Sequence, residues 1–252
     1  MAGHSHAKNV ARRKEAQGRK KSGLFGKIAR GITVAAKSGS PDPAMNPRLR
    51  LAIDKAKSVS MPNDRIKRAI EQGIPGAADG KDYQEARYEG YGPGGVAIVV
   101  ECLTDNVTRT VNDIRPTFAK YGGTLGTAGS VSFMFEKLGE IVYPASKGSA
   151  DAMFEAAVEA GAQNVESDDE YHSIYTDTTD LAAVSEALDK KFGAPEKSGM
   201  VWKPLNMHSV TDAETAASVM KLIDVLDEND DVQEVFYNMD VSDDIAAKLA
   251  AE

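Results

Sequence analysis

Charge divides this chain at residue 73. Up to Gly73 there are seventeen Lys and Arg residues against five acidic ones, a net +12. The remainder holds 13 basic and 33 acidic residues, a net −20, and the whole chain carries −8. A basic head on an acidic body predicts a polyanionic partner for the head and a soluble, self-repelling remainder. The hydrophobic pattern changes at the same place, from purely helical before it to alternating strand and helix after it.

With 252 residues, 42% of them hydrophobic, the chain can bury two or three cores. Cys102 is the single cysteine. Internal disulfides and multi-cysteine zinc sites are therefore excluded, and a reducing compartment fits. No apolar run approaches the roughly 20 residues needed to span a bilayer. The opening Met1–His6 lacks a signal-peptide core, and Ala2 stands where myristoylation needs glycine. A cytoplasmic protein without membrane contact is expected.

Residues 1–22 are basic and almost free of large apolar side chains, which predicts an arm unable to bury a face by itself. Leu24, Phe25, Ile28, Ala29, Ile32 and Ala36 then recur at helical spacing. Arg30 and Lys37 fall on the opposite side, with Lys27 on the flank. Asn46-Pro47 marks a second helix start, with Asn as cap and Pro in the first position. Its apolar stripe is Leu49, Ile53 and Ala56, surrounded by Arg48, Arg50, Lys55 and Lys57. A third helix from Pro62 carries Ile66, Ala69 and Ile70 inside and is expected to terminate at Gly73. Residues 74–82 have the composition of a linker.

Beyond the linker, Tyr91-Gly92-Pro93-Gly94-Gly95 predicts a turn leading into an apolar strand at 96–103. Val107, Val111, Ile114, Phe118 and Tyr121 form an amphipathic helix, which Pro116 is expected to kink. Further strands are predicted at 131–135, 140–143, 164–166, 171–176, 200–205 and 232–237, and helices at 150–160 and 181–192. Thr211-x-x-Glu214 is a capping box before another helix, and a short tail ends the chain. These elements form two sets resembling split β-α-β units, as in ferredoxin-like folds. Local pattern leaves open whether the two sets follow in series or one is nested in the other.

Catalytic chemistry is sparse. His4 and His6 lie in the arm without Cys or closely spaced carboxylate partners, so no metal site is expected. Cys102 lies in an apolar strand and is expected to be buried and inert. Gly92-Pro93-Gly94-Gly95 precedes a strand and no Gly-Lys-Ser/Thr follows, which favours a tight turn over a phosphate cradle. Asp224, Asp227, Glu228, Asp230 and Asp231 lack EF-hand spacing and form an acidic surface. No cofactor is expected, and an enzyme ranks well below a nucleic-acid-binding regulator. Phe25 is expected in a core and not as a base-stacking platform.

Several blocks resemble the YebC family. Gly3-His4-Ser5, Ala35-Ala36-Lys37, Asp42-Pro43, Asn46-Pro47-Arg48-Leu49-Arg50, Ala52-Ile53 and Met61-Pro62 are similar to its N-terminal signature. The stretch Tyr88–Ile98 is more distinctive. Leu103–Asn106, Arg109-Thr110, Gly122-Gly123, Leu125-Gly126, Gly129–Val131 and Asp230–Val235 extend the likeness along nearly the whole chain.

The resemblance implies an α+β multidomain protein. A basic all-α helical N-terminal domain is followed by two ferredoxin-like α/β domains, one inserted in the other. Applied to this chain, that gives an arm at 1–22, a helical domain at 23–80 and an α/β domain at 81–136 plus 206–240. The inserted domain is 137–205 and a tail occupies 241–252. The family is described as bacterial transcriptional regulators binding promoter DNA; its mitochondrial relatives are translational activators, and some bacterial members are linked to ribosomes and relief of stalling at proline runs. Two departures stand out: His6 and Ala7 replace the family's usual Lys and Trp, and Pro116 is unusual in its helix.

The expected function is therefore a non-enzymatic regulator binding duplex DNA. The alternative is a ribosome-associated translation factor binding ribosomal RNA. Candidate phosphate contacts are Lys8, Arg12, Arg13, Lys14, Arg19, Lys20, Lys21, Lys27, Arg30, Lys37, Arg48 and Arg50. In the ribosomal alternative, Tyr91, Gly92, Pro93, Gly94 and Gly95 become a functional loop. The oligomeric state is not legible from these residues.

Overall fold

The structure, a computed structural model, describes residues 21–76 and 82–251. The predicted arm up to Lys20 and residues 77–81 of the predicted linker lie outside the described residues.

The basic head contains three helices, α1 (Lys21–Ser38), α2 (Pro47–Ser58) and α3 (Asn63–Gly73). Helix α1 begins two residues before the expected Gly23 start. Helix α2 begins as expected: Asn46 Oδ1 accepts a hydrogen bond from the Leu49 amide at 3.1 Å, and Pro47 holds the first position. Ile28, Ile32, Ala35, Ala36, Leu49, Ile53, Ala56, Met61, Ile66 and Ala69 bury a shared core, and Phe25 packs at its edge. Thr33 Oγ1 donates to the Ala69 carbonyl at 2.9 Å, tying α1 to α3.

Helix α3 ends at Gly73, as expected, but the glycine is needed there for another reason. It is not in the left-handed conformation of a helix-ending glycine. A Cβ there would lie 2.4 Å from the Thr33 carbonyl oxygen and 2.7 Å from Ala36 Cβ, so glycine permits close approach of α3 to α1.

Strands β1 (Gln84–Tyr91) and β2 (Ala97–Thr104) form an antiparallel hairpin. Then come α4 (Val107–Lys120), β3 (Thr124–Leu125), β4 (Phe135–Pro144), α5 (Ala150–Ala160), β5 (Asn164–Ser167) and β6 (Tyr171–Thr176). After these follow α6 (Leu181–Phe192), β7 (Lys197–Pro204), β8 (His208–Ser209), α7 (Ala213–Glu228), β9 (Val232–Tyr237), β10 (Met239–Asp240) and α8 (Asp243–Ala251).

One four-stranded sheet has the order β3-β1-β2-β9, another β5-β6-β4-β7, and β8 pairs with β10. In the second sheet the chain runs strand, helix, hairpin, helix, strand, the split β-α-β order expected of a ferredoxin-like unit. In the first sheet the hairpin comes first, and α4 and α7 follow it.

The chain divides into two compact units. One contains the described residues of 1–80 together with 137–201, and the other 81–136 with 202–252. In the first unit, Ile141, Tyr143, Met153, Ile174, Leu181 and Leu188 form a second core beside that of the head. In the second unit, Val96, Ile98, Val100 and Cys102 pack beneath α4, α7 and α8. Cys102 is buried, as its strand predicted.

Three further expectations are corrected. Val131–Phe135 is not a strand: Ser132–Met134 is a 3-10 turn and β4 begins at Phe135. The Glu89 carboxylate explains this, because its Oε2 takes the amides of Val131 (3.0 Å) and Ser132 (2.9 Å) away from any ladder. The cap of α7 is Asp212 and not Thr211, with Asp212 Oδ2 accepting from the Thr215 amide at 2.7 Å. Helix α4 carries Pro116 in its interior, as the sequence placed it, with Ile114 and Phe118 buried on either side of it. Finally, the predicted tail is largely helix α8. Its Asp243 and Asp244 sit in the first turn and Lys248 in the last, matching the helix dipole, and Ile245 is buried in the core.

Candidate nucleic-acid interface

An interface for phosphate needs cations displayed on an element that cannot collapse. In the head, burial of one stripe of each helix leaves the basic residues outside it. Lys37 and Arg48 are exposed; Lys27 and Arg30 are half-buried. Lys21 opens α1. Lys8, Arg12, Arg13, Lys14, Arg19 and Lys20 lie outside the described residues. Arg65 stands over the Phe25 ring, 5.6 Å from its centroid, so the aromatic is engaged within the head.

Arg50 is differently employed. Its Nε donates to the Pro43 carbonyl (3.3 Å), Nη2 to the Ala44 carbonyl (3.2 Å) and Nη1 to Glu186 Oε2 (3.0 Å). Lys190 first, and then Arg50, hold the Glu186 carboxyl below its usual range. Arg50 thus ties the loop between α1 and α2 to helix α6.

The second candidate, Tyr91–Gly95, joins β1 to β2. Tyr91 ends β1 and its hydroxyl donates to the Ser130 carbonyl at 3.1 Å. The Gly92 amide donates to the Val96 carbonyl at 2.8 Å. Pro93–Gly95 form a 3-10 turn in which Gly94 (φ 68°) and Gly95 (φ 82°) adopt the left-handed region. His208 Nε2 lies 2.7 Å from the Gly94 carbonyl oxygen, which assigns the ring proton to that nitrogen. A Cβ on Gly94 would approach Thr215 Cγ2 to 2.8 Å. The loop is therefore a tight, tethered turn.

Glu89 braces this region from below. Burial raises its pKa, but the amides of Val131, Gly129 and Ser132 outweigh that and hold it below the usual value. Its Oε1 lies 3.0 Å from Arg87 Nε, an ion pair without hydrogen-bond alignment. Arg87 also covers the Trp202 ring at 4.8 Å, and Trp202 Nε1 donates to Glu101 Oε1 at 2.8 Å. Ser130, His208 and Thr215 are distant in sequence from the glycine turn, and nothing in local pattern links them to it.

The two folded sets of motif residues can now be placed against known proteins. Residues 5–75 match the N-terminal domain of TACO1/YebC proteins, and residues 83–239 match the TACO1/YebC second and third domains. The chain belongs to the TACO1/YebC family. It is also similar to the crystal structure of a conserved hypothetical protein, Aq1575, from Aquifex aeolicus. That match has 43% identity and a TM-score of 0.82, covering 90% of this chain and 93% of the other.

In this TACO1/YebC chain, the family blocks sort into structural and surface roles. Leu103–Asn106 and Arg109-Thr110 build a buried polar knot around Asp231. Asn46 is a structural cap. Among the described residues, no group of three His, Cys, Asp or Glu could hold a metal ion, and no helix is long and apolar enough to cross a membrane.

Proposed function

We propose that this chain is a non-enzymatic regulator of gene expression that binds duplex DNA through its basic head, acting in transcription in the cytoplasm. The observation that carries this is the +12 charge of residues 1–73, with Lys37 and Arg48 exposed on a packed helical core. Such cations neutralise phosphates and release counterions, giving affinity that falls steeply with salt. Arg12, Arg13 and Lys14 extend the same charge along the arm. Membership of a regulator family supports a nucleic-acid role in general terms.

A second reading, ribosomal RNA as the target, is favoured by the −20 of residues 74–252. An acidic body is repelled by a long duplex lying alongside it, and is better tolerated if only the head enters an RNA cleft. The Tyr91–Gly95 turn then becomes a contact surface.

In-cell ultraviolet crosslinking with sequencing of bound DNA and RNA separates the two. Discrete promoter fragments, lost on neutralising Arg12, Arg13 and Lys14, support transcription. Ribosomal RNA enriched at one location replaces it with translation, and recovery of neither rejects both.

A further inference from the structure

The loop between α1 and α2 holds a large apolar side chain in water on a backbone braced by hydrogen bonds. Met45 is 77% exposed, the highest among the exposed large apolar residues described. Its surroundings are ordered by hydrogen bonds. Asn46 Nδ2 donates to the Ala35 carbonyl (2.8 Å) and the Ser40 carbonyl (2.7 Å). The Ala44 amide donates to Asp42 Oδ1 (2.9 Å), and the Met45 amide to the Asp42 carbonyl (3.0 Å). Arg50 grips the carbonyls of Pro43 and Ala44. At Gly39 a Cβ would come within 2.8 Å of Asn46 Nδ2, so the loop closes tightly on its own cap. A methionine on a braced tip is displayed with its backbone already ordered, so that binding has only its side-chain rotamers left to fix.

The display lies among cations. Exposed Lys37 lies in the last turn of α1 on one side of the loop, and exposed Arg48 in the first turn of α2 on the other. Asp42, the acid within the loop, has its carboxylate engaged by the Ala44 amide. Charge complementarity thus points to a polyanion, and the apolar tip to a part of it that is not phosphate.

We propose that Met45 is the non-ionic contact of the head with its nucleic acid, packing against sugar or base while Lys37 and Arg48 hold the flanking phosphates. Apolar side chains in such settings press against or wedge between bases. This inference rests on the nucleic-acid reading above and assigns that interface a second kind of contact.

The test compares the intact chain with Met45→Ala, Met45→Gln and Arg48→Ala, titrated into labelled duplex DNA and a ribosomal RNA fragment across a salt series. An apolar contact releases no counterions, so Met45→Ala should weaken binding about tenfold with the salt slope unchanged. Met45→Gln, similar in length but polar, should fall near Met45→Ala. Arg48→Ala should weaken binding and make the slope shallower by about 0.9 for duplex. Met45→Ala binding as tightly as the intact chain overturns this inference alone, as does a Met45→Ala loss accompanied by a changed slope. Failure of the intact chain to bind either probe overturns the nucleic-acid reading and this inference with it.

Discussion

Arg109 Nη2 donates to Asp231 Oδ2 at 2.8 Å, joining the first turn of α4 to the residue that precedes β9. The same oxygen accepts from Thr110 Oγ1 at 2.8 Å and Thr104 Oγ1 at 3.2 Å. The Asp231 carbonyl also receives the Leu103 amide. Asp231 is buried, as are Thr104 and Thr110. Two segments about 120 residues apart in sequence are thereby locked together, with the whole of 137–201 lying between them in the chain.

Removal of the carboxylate leaves two buried hydroxyls and one guanidinium without their shared acceptor. Asp231→Ala should lower the unfolding free energy by about 3 kcal/mol. Arg109→Ala should cost less, because its guanidinium is half in water and can turn to solvent. Urea unfolding followed by Trp202 fluorescence measures both. Equal midpoints for Asp231→Ala and the parent would contradict the role given to this carboxylate.

Glu89 gives the second unit an acid-sensitive brace. Its folded pKa lies below the unfolded value because amide donation outweighs burial. Its stabilisation is therefore fully present above the unfolded carboxylate pKa of about 4.3 and is lost as pH falls through the folded value. Unfolding free energy measured from pH 7 downward should decline in the acid range. Glu89→Gln should show a shallower acid decline and a lower plateau at neutral pH. An acid limb unchanged by the substitution would assign the pH dependence to other groups.

Sequence periodicity was sufficient for α1 to α3, α5, α6 and β9, since each buries one regular stripe or face. It also placed Asn46 and Cys102 correctly. What it missed is governed by contacts between distant residues. Val131–Phe135 has a strand composition, but the Glu89 carboxylate captures its amides and winds it into a turn. Strand β1 alternates weakly, with Arg87, Glu89 and Tyr88 in place of a clean apolar face, and its pairing with β2 defines it. The tail is too short to show a clear helical stripe, yet Ile245 finds a core assembled from β2, α7 and β9. For the candidate site, charge identified the head, but periodicity could not distinguish Arg48 from Arg50. Only the fold shows that Arg50 spends its donors on Pro43, Ala44 and Glu186.

Two glycines with different constraints should respond differently to alanine. Gly73 sits in a helical backbone, where alanine is normally preferred by about 1 kcal/mol. Here the added methyl meets the Thr33 carbonyl and Ala36, so Gly73→Ala should destabilise by about 1–3 kcal/mol. Gly94→Ala meets Thr215 Cγ2 and also a left-handed φ, so strain adds to the clash. Thr215→Ser removes the obstructing methyl and should relieve Gly94→Ala only in part. Full rescue in the double variant would show that φ contributes nothing. Thermal midpoints of the four proteins decide it.

The contrast between Arg48 and Arg50 is testable through stability and salt dependence together. Arg48 is exposed at the start of α2, and Arg50 is half-buried and donates to three acceptors. Arg50→Ala should therefore lower the thermal midpoint modestly, by an amount corresponding to less than about 1 kcal/mol for the exposed ion pair plus the loss of two carbonyl contacts. Arg48→Ala should weaken nucleic-acid binding and flatten its salt slope. Glu186→Gln removes the countercharge at Arg50 while keeping a side chain of similar size. If Arg50 also reaches phosphate, Glu186→Gln should tighten nucleic-acid binding at low salt, and the gain should vanish in the Arg50→Ala background. If Arg50 acts only as a brace, Glu186→Gln should leave affinity unchanged and lower the midpoint alone. The double-mutant cycle at two salt concentrations separates a positioning arginine from a phosphate-binding one.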